Sequence, residues 1–446
     1  MKKRTFLGGI HPPGNKGATA NKKIVPAETP NNVFIPLNQH IGAPCHALIG
    51  VGDTVRVGQK IGDASAFVSA PVHASISGTV RSIFDIPGFG KCVEIENDGK
   101  NTLDPSIVHN PNPDSLTPDQ LRQAVRNAGI VGMGGAAFPA HVKFNPPKDK
   151  PIEFLILNGS ECEPYLTADH RVMLEYPDRI LAGMKYIMRM LNCSKGYIGI
   201  EDNKMDAVEV MEELLLGTEG IQVVPLKAKY PQGSEKHLIY TCTGRVVPSG
   251  GLPMDVGVVV SNVSTAVAVA DAVEKGMPLI ERVVTVSGNG VKRPANYRVK
   301  IGTLISSLVE QSGGYNGRVG KIISGGPMMG RTLYSDKVPI TKGTSGVLFL
   351  PNNEMASELP HSCVRCAKCV DACPMFLEPT TLYKNSDKEK WDAVERNNVL
   401  DCIECGSCSY VCPAKIPLTQ YIRQAKEIVR SRQKSQAAKE AAAAKG

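Results

Sequence analysis

Eight of the thirteen cysteines stand in two runs of the same spacing, Cys363-x-x-Cys366-x-x-Cys369-x-x-x-Cys373-Pro374 and Cys402-x-x-Cys405-x-x-Cys408-x-x-x-Cys412-Pro413. This repeat constrains the carboxy-terminal part of the chain more tightly than any hydrophobic pattern. Three thiolates at three-residue intervals can wrap one face of an iron–sulfur cube from a short irregular loop. The fourth cysteine, followed by proline, is carried off at the start of a helix and ligates the other cube. The spacing therefore assigns Cys363, Cys366, Cys369 and Cys412 to one 4Fe–4S cluster and Cys402, Cys405, Cys408 and Cys373 to a second. Zinc favours two separated CxxC pairs over a three-plus-one grouping, and disulfides are rare in a chain without an export signal.

The other cysteines, Cys45, Cys92, Cys162, Cys193 and Cys242, stand alone, as small buried hydrophobes do. Cys162 lies between Glu161 and Glu163, whose charges would raise its pKa and argue against a thiolate nucleophile. His11, His73, His141, His237 and His361 read as surface or structural residues, since thiolates already supply both clusters. The basic residues after Met1 precede no apolar stretch, so no secretory signal is read. The most apolar run, 256–273, is interrupted by Asn262, Ser264, Thr265 and Asp271 and falls short of the about 20 apolar residues of a membrane span. Part of the formal charge of +8 gathers after 422, where Arg423, Lys426, Arg430, Arg432 and Lys445 are among the cations facing only Glu427 and Glu440. With a single Trp and no aromatic residues among these cations, no nucleic-acid surface is expected, and 426–446 reads as a basic, flexible, frayed helix.

A chain of 446 residues holds two to four domains at roughly 100–200 residues each. Upstream of the cysteine runs, apolar runs alternate with helical periodicity. Helices are expected over 121–127, 180–191, 205–216 and 263–275, and strands over 154–157, 196–200, 221–224 and 257–261. This alternation implies a mostly parallel sheet with helices on both faces, whose ligands sit beyond the carboxyl ends of the strands.

Four motifs fall about such ends. Gly129-Ile-Val-Gly132-Met-Gly134-Gly135-Ala136-Ala137-Phe138-Pro139, closed by Lys143, can bring backbone amides and a point charge to a phosphate. It lacks GxGxxG spacing and follows a helix, so alone it fits a tight turn as well as a ligand loop. Asn158-Gly159-Ser160-Glu161-Cys162-Glu163-Pro164 follows a strand, and its two carboxylates could bind ribose hydroxyls or an isoalloxazine edge. Tyr230-Pro-Gln-Gly233-Ser-Glu235 and Ser261-Asn262-Val-Ser-Thr265 open helices, where Asn, Ser and Thr serve equally as caps or as anion ligands.

Residues 129–330 resemble the flavin- and NADH-binding subunit of respiratory complex I. The glycine loop is matched by Gly132, Gly134, Gly135, Ala136, Phe138, Pro139 and Lys143, the acidic loop by Asn158, Glu161, Glu163 and Pro164, and the later helix starts by Tyr230, Gly233, Glu235, Asn262 and Thr265. The resemblance implies FMN bound by the glycine loop, Lys143, Asn158, Asn262 and Thr265, with NADH stacked on the flavin near Phe138, Glu163 and Glu235. Three positions depart from it: Met133 for a loop arginine, Ser160 for an aspartate, and Ala137 for a glycine. Residues 283–330 look like the β-grasp domain that follows in that family. Phe6-Leu-Gly-Gly-Ile-His-Pro-Pro13 is similar to the opening of the C subunits of Rnf complexes, membrane-bound assemblies that exchange electrons between ferredoxin and NAD while moving sodium or protons. Residues 33–98 look like a lipoyl or biotinyl hammerhead whose tip, Asp63-Ala-Ser-Ala-Phe67, has no carrier lysine.

The expected chain is thus multidomain α/β and α+β. It comprises an amino-terminal arm (1–32), a hammerhead-like β-domain (33–114), an FMN- and NADH-binding α/β domain (115–281), a soluble-ligand-binding-like β-grasp domain (282–350), a bacterial two-cluster ferredoxin-like domain (351–425) and the tail. The resemblance implies a peripheral subunit on the cytoplasmic face of the cell membrane, with other Rnf subunits, NADH and, indirectly, ferredoxin as partners. Nicotinamide exchanges two electrons at once and a cluster only one, so a flavin between them is what the cofactor chemistry requires. No side-chain acid or base is then needed, and Glu163 and Glu235 would orient ligands. A soluble flavin/iron–sulfur reductase, such as a cobalamin reductase, and a docking protein without nucleotide binding are the other readings.

Overall fold

The segment 154–157, Phe-Leu-Ile-Leu, is apolar at every position and forms the strand Phe154–Asn158, covered on both sides. Phe154 and Ile156 pack with Leu226, Leu238 and Ile239, while Leu155 and Leu157 pack with Ile187, Val263 and Val269. Such two-sided burial belongs to a parallel sheet between helices. The sheet has four parallel strands in the order Ile221–Leu226, Lys195–Glu201, Phe154–Asn158, Val258–Asn262. One face carries the helices Pro177–Leu191 and Val263–Lys275, and the other carries Glu235–Thr243. The first two cross so closely that a Cβ on Gly183 would stand 1.8 Å from the Ala266 carbonyl oxygen.

A computed structural model describes residues 4–354 and 359–443, with side chains through 440. Ahead of the parallel sheet, an antiparallel sheet (Thr54–Val55, Gly78–Ile86, Gly90–Asn97, Asn32–Pro36) and a smaller one (His46–Ala47, Lys60–Asp63, Val72–His73) enclose a core of Val33, Ile35, Ile61, Val80 and Ile95. After it comes a six-stranded mixed sheet built mainly on Glu281–Ser287, Ala295–Lys300, Val319–Ser324 and Gly346–Pro351. The carboxy-terminal unit packs the short helices Lys368–Asp371, Pro379–Asp387, Trp391–Arg396 and Ser407–Tyr410 against the long helix Leu418–Ala443. No helix among the described residues is long and apolar enough to cross a membrane.

Several expectations change. The amino-terminal arm is not a separate appendage: Val25–Pro26 adds a strand to the six-stranded sheet, and Arg4 and Ile10 bridge to Leu226 and Tyr230. The helix at 205–216 closes earlier, as Met205–Leu214. The division at 425/426 cuts a continuous helix, and the basic tail is not free at its start. Lys426 is buried and donates to the Cys402 carbonyl and to Glu404 (2.8 Å), Arg423 also pairs with Glu404, and Arg432 pairs with Asp392. Val429 is fully buried in the same core. Composition suggested fraying there, but tertiary partners order the helix. Of the terminal cations singled out in the sequence, those before Arg4 and Lys445 lie outside the described residues. His73, His141 and His237 are buried and His11 and His361 exposed, in keeping with structural or surface roles.

Lys342 sits where the first β-domain, the parallel-sheet domain and the six-stranded sheet meet. Its Nζ donates to the carbonyls of Pro71 and Gly129, both at 2.7 Å. Burial pushes its pKa down to about 7. An unfolded lysine titrates near about 10.4, so above pH 7 the unfolded chain binds the extra proton and folding is favoured increasingly as pH rises. Below that window the full cost of a buried ammonium is present. Lys342→Met keeps the bulk and removes the titration. The stability of variant minus parent should therefore fall as pH climbs from 7 towards 10 in urea melts; a flat difference would refute the shift.

Candidate functional site

In the parallel sheet, the chain leaves Phe154–Asn158 towards Lys195–Glu201 on one side and returns on the other as Val258–Asn262. Asn158 and Asn262 are register partners at the carboxyl ends, so the crevice above them is the topological switch point where such sheets bind ligands. Asn262 caps the helix Val263–Lys275: its Oδ1 accepts from the amides of Ser264 (2.9 Å) and Thr265 (3.3 Å), and its Nδ2 donates to Asp169 (2.7 Å). The glycine loop lies over this helix start. The Met133 amide donates to Thr265 Oγ1 (2.9 Å), and the Gly132 amide donates to the Phe138 carbonyl (2.9 Å), closing a tight turn. A Cβ on Gly134 would stand 3.0 Å from Asn262, whereas one on Gly135 would meet nothing within 4 Å. The loop thus presses its inner face on the helix and leaves its outer face open. Phe138 is half-buried at its end, and Lys143 pairs with Glu235 at 2.7 Å across the crevice.

The acidic loop is arranged differently from the expectation that both carboxylates face a ligand. Asn158 donates to the Gly233 carbonyl (2.8 Å) and accepts from the Ser160 amide (3.1 Å). Glu161 turns back to the amides of Asp169 (2.8 Å) and His170 (3.1 Å), closing the start of the helix Ala168–Glu175. Burial raises the pKa of Glu161 and of its neighbour Asp169. Glu163 accepts from the amides of Met328 (3.0 Å) and Met329 (2.8 Å), tying the loop to the next domain, and burial raises its carboxyl as well. Burial also pushes the Cys162 thiol far up, with Glu201 adding to the effect, which keeps it from serving as a thiolate. Beside these groups, Ser160 Oγ and Gln232 Oε1 are buried without a hydrogen-bond partner.

Three cations that sequence reasoning passed over hold these loops. Lys16 donates to the carbonyls of Glu161 and Glu163, both at 2.9 Å, and of Leu166. Arg282, buried, donates to the carbonyls of Met133 (3.3 Å) and Lys342. Lys342 reaches Gly129 from beneath the glycine loop. Arg282 and Lys342 hold carbonyls of the glycine loop from within, the loop whose usual arginine is here Met133. No local pattern marks any of the three, because their carbonyl partners lie far off in sequence, from 60 to more than two hundred residues away.

The eight motif cysteines line two cavities. Cys373, Cys402, Cys405 and Cys408 ring one, and Cys363, Cys366, Cys369 and Cys412 ring the other. This is the crossed grouping expected from the spacing. Amides of Leu377 and Glu404 donate to the sulfurs of Cys373 (3.4 Å) and Cys402 (3.3 Å). Four cysteines about one hollow, in the three-plus-one grouping of the motif, suit an iron–sulfur cube. The two differ in depth. Cys405 and Cys408 are buried, while Cys366 is exposed in an open loop. The Tyr230 hydroxyl donates to the Cys405 carbonyl (2.7 Å), so a residue of the crevice domain touches the buried site directly.

A parallel-sheet switch point with an open glycine loop beside it, joined to paired four-cysteine cavities, fits a flavin- and iron–sulfur-carrying electron-transfer protein. Sequence-family models divide the chain in the same way: an RnfC barrel sandwich hybrid domain over 4–100, a Nuo51 FMN-binding domain over 125–271, an SLBB domain over 283–332 and a 4Fe-4S dicluster domain over 355–413. The chain belongs to the family of C subunits of ion-translocating ferredoxin:NAD(+) oxidoreductase complexes. It is 50% identical over 428 residues to the C subunit of the proton-translocating ferredoxin:NAD(+) oxidoreductase complex of Clostridium ljungdahlii, covering 95% of this chain and 93% of that one. Over 439 residues it is 46% identical to the Na(+)-translocating counterpart of Acetobacterium woodii, covering 97% and 99%. The C subunit of the ion-translocating oxidoreductase complex of Pasteurella multocida is 40% identical, and the match takes in 98% of this chain but 53% of that longer one. A crystal structure of an NAD+-reducing [NiFe]-hydrogenase in the air-oxidized state shares the fold over 71% of this chain and 61% of its own, with a TM-score of 0.50 and 22% identity. Full-length kinship to Rnf subunits decides against the cobalamin-reductase reading.

Proposed function

We propose that this subunit exchanges hydride with NAD(H) at an FMN held in the switch-point crevice and passes single electrons through the buried cluster to the exposed one. The contact between Tyr230 and Cys405 carries this reading, because it joins the crevice to the buried cysteine ring. FMN, when bound, supplies the conversion between two-electron and one-electron chemistry. The balance is one NADH and two oxidised clusters in, and NAD+, one proton and two singly reduced clusters out. The chain's own residues bind and orient. Gly132, Gly134, Gly135, Lys143, Asn158, Asn262 and Thr265 would take the flavin and its phosphate. Phe138, Glu235 and Gly233 would border the nicotinamide. Glu161, Glu163 and Tyr230 would hold the loops in place.

We read the domain limits as 33–114, 115–281, 282–350 and 351 to the long helix, with a carrier-type hammerhead lacking its lysine, a β-grasp fold and a ferredoxin-like fold around the flavin domain. The setting is the cytoplasmic face of the membrane, where NADH is available, with other subunits of the complex as neighbours. Anaerobically prepared protein should carry about one FMN and eight iron atoms, and NADH should bleach the flavin first and the clusters after it. Bleaching of neither would overturn the proposal. Lys143→Ala frees Glu235 and removes a cation from the crevice. It should lower FMN retention after gel filtration by about tenfold, as expected for a charge-assisted hydrogen bond of about 1.5 kcal/mol. Unchanged retention would remove Lys143 from the phosphate site.

A further inference from the structure

The opening motif 6–10, Phe-Leu-Gly-Gly-Ile, lines neither the crevice nor a cysteine cavity, yet it lies between them. On the side of the parallel-sheet domain it is anchored, with Arg4 just ahead of it, at three residues. The Lys227 amide donates to the Arg4 carbonyl (3.0 Å), and the Arg4 guanidinium donates to the Cys242 carbonyl. The buried Phe6 ring lies 4.6 Å from the His237 ring, with the Lys229 ammonium 4.8 Å from its centre. Ile10 and Tyr230 exchange two backbone hydrogen bonds, at 2.8 and 2.9 Å.

On the other side the motif meets the segment that carries the crossing ligand Cys373. The Gly9 amide donates to the Ala372 carbonyl (3.0 Å), and a Cβ on Gly8 would stand 2.8 Å from the Cys373 carbonyl oxygen. A Cβ on Gly9 would stand 2.6 Å from the Tyr230 carbonyl oxygen. Both glycines have φ of +74°, a conformation other residues adopt only under strain. His237 completes the seam, its Nε2 2.9 Å from the Pro374 carbonyl oxygen. The two glycines therefore let the backbone pass through a gap with no room for a side chain, between Tyr230 and the Cys373 loop.

We propose that residues 4–10 form a strap that sets the distance between the crevice and the buried cluster site, with Gly8 and Gly9 as its positioning residues. The inference rests on the electron route proposed above. Electron transfer between fixed centres falls off exponentially with their separation, so a strap that holds the gap governs the rate of that step while leaving cofactor content and hydride exchange alone.

The test uses the full chain, anaerobic and reconstituted, in Gly8→Ala and Phe6→Ala. The first widens the seam at the Cys373 loop, and the second loosens the anchor on the far side without touching that loop. Rapid-mixing spectra with NADH separate flavin bleaching from cluster reduction, while iron and FMN analyses and dithionite titration report what is loaded. Flavin bleaching at the parental rate with cluster reduction slowed severalfold or more is expected for both variants, since the transfer rate falls exponentially with any added separation. Parental cluster-reduction rates in Phe6→Ala overturn the strap, whether or not Gly8→Ala retains its iron. If NADH fails to bleach the flavin of the parent, the functional reading fails instead. Photoreduction of the flavin then supplies the electrons, and the same comparison of cluster-reduction rates decides the strap separately.

Discussion

Cys373→Ala should abolish the buried cluster and spare the exposed one, lowering iron from about eight to about four atoms per chain. Sequence proximity alone would attach Cys373 to Cys363, Cys366 and Cys369, and would forecast loss of the exposed cluster. The cavities say otherwise: Cys373 borders the hollow of Cys402, Cys405 and Cys408, while Cys412 borders the hollow of Cys363, Cys366 and Cys369. Double variants make the grouping readable by iron analysis. Because ligands of one cube act as a unit, Cys373→Ala with Cys402→Ala should lose no more iron than either alone, whereas Cys373→Ala with Cys363→Ala should lose nearly all of it. The reverse pattern would reject the crossed ligation. The functional consequence is as large. With the buried cluster gone, NADH should still bleach the flavin, and electrons should no longer reach the exposed cluster within turnover.

Much of this arrangement was legible because it is encoded locally. The run at 154–157 and the cap Asn262 announced a buried strand and the start of a helix, and the helix found, Val263–Lys275, has the limits expected for it. The cysteine spacing implied a crossed grouping that the two cavities reproduce. What the sequence left dark depends on distant partners. Glu161 and Glu163 had the composition of ligand-binding carboxylates, yet each accepts two backbone amides, one pair at a helix start and the other in the next domain. Whether an acidic side chain faces a ligand or an amide depends on which chain segment arrives beside it, and local spacing carries no record of that. The same holds for Lys16, Arg282 and Lys342, single cations whose carbonyl partners come from remote segments. The carboxy-terminal helix failed in the opposite sense. Its alanines and charges resemble a frayed end, but Lys426 and Val429 find partners in the cluster domain and fix the first turns.

Asn262→Ala should destabilise the flavin domain by about 2–4 kcal/mol and strip it of FMN, because one side chain does three separate things. Its oxygen caps the helix Val263–Lys275 through the Ser264 and Thr265 amides, and loss of such a cap costs about 0.5–2 kcal/mol. Its amide nitrogen is one of two side-chain donors to the half-buried Asp169, the other being Ser264 Oγ at 2.6 Å. Taking one donor from a carboxylate largely shielded from water costs about 1–3 kcal/mol. Against a total stability of about 5–15 kcal/mol, the combined loss should be plain in a urea melt. The third role is steric: Gly134 rests on Asn262, so the glycine loop loses its support at the point where it crosses the helix start. Two substitutions separate these effects. Asn262→Ser restores an oxygen to the cap without reaching Asp169, and should recover part of the stability with little of the flavin retention. Asn262→Asp keeps the cap acceptor and the shape but sets a second carboxylate against Asp169, where like charges in a close pair drive one proton on. It should bind FMN only as the pH falls and that proton is taken up. Parental FMN retention in Asn262→Ala, measured after gel filtration, would show that the crevice holds its ligand without this residue and would move the flavin site away from the switch point.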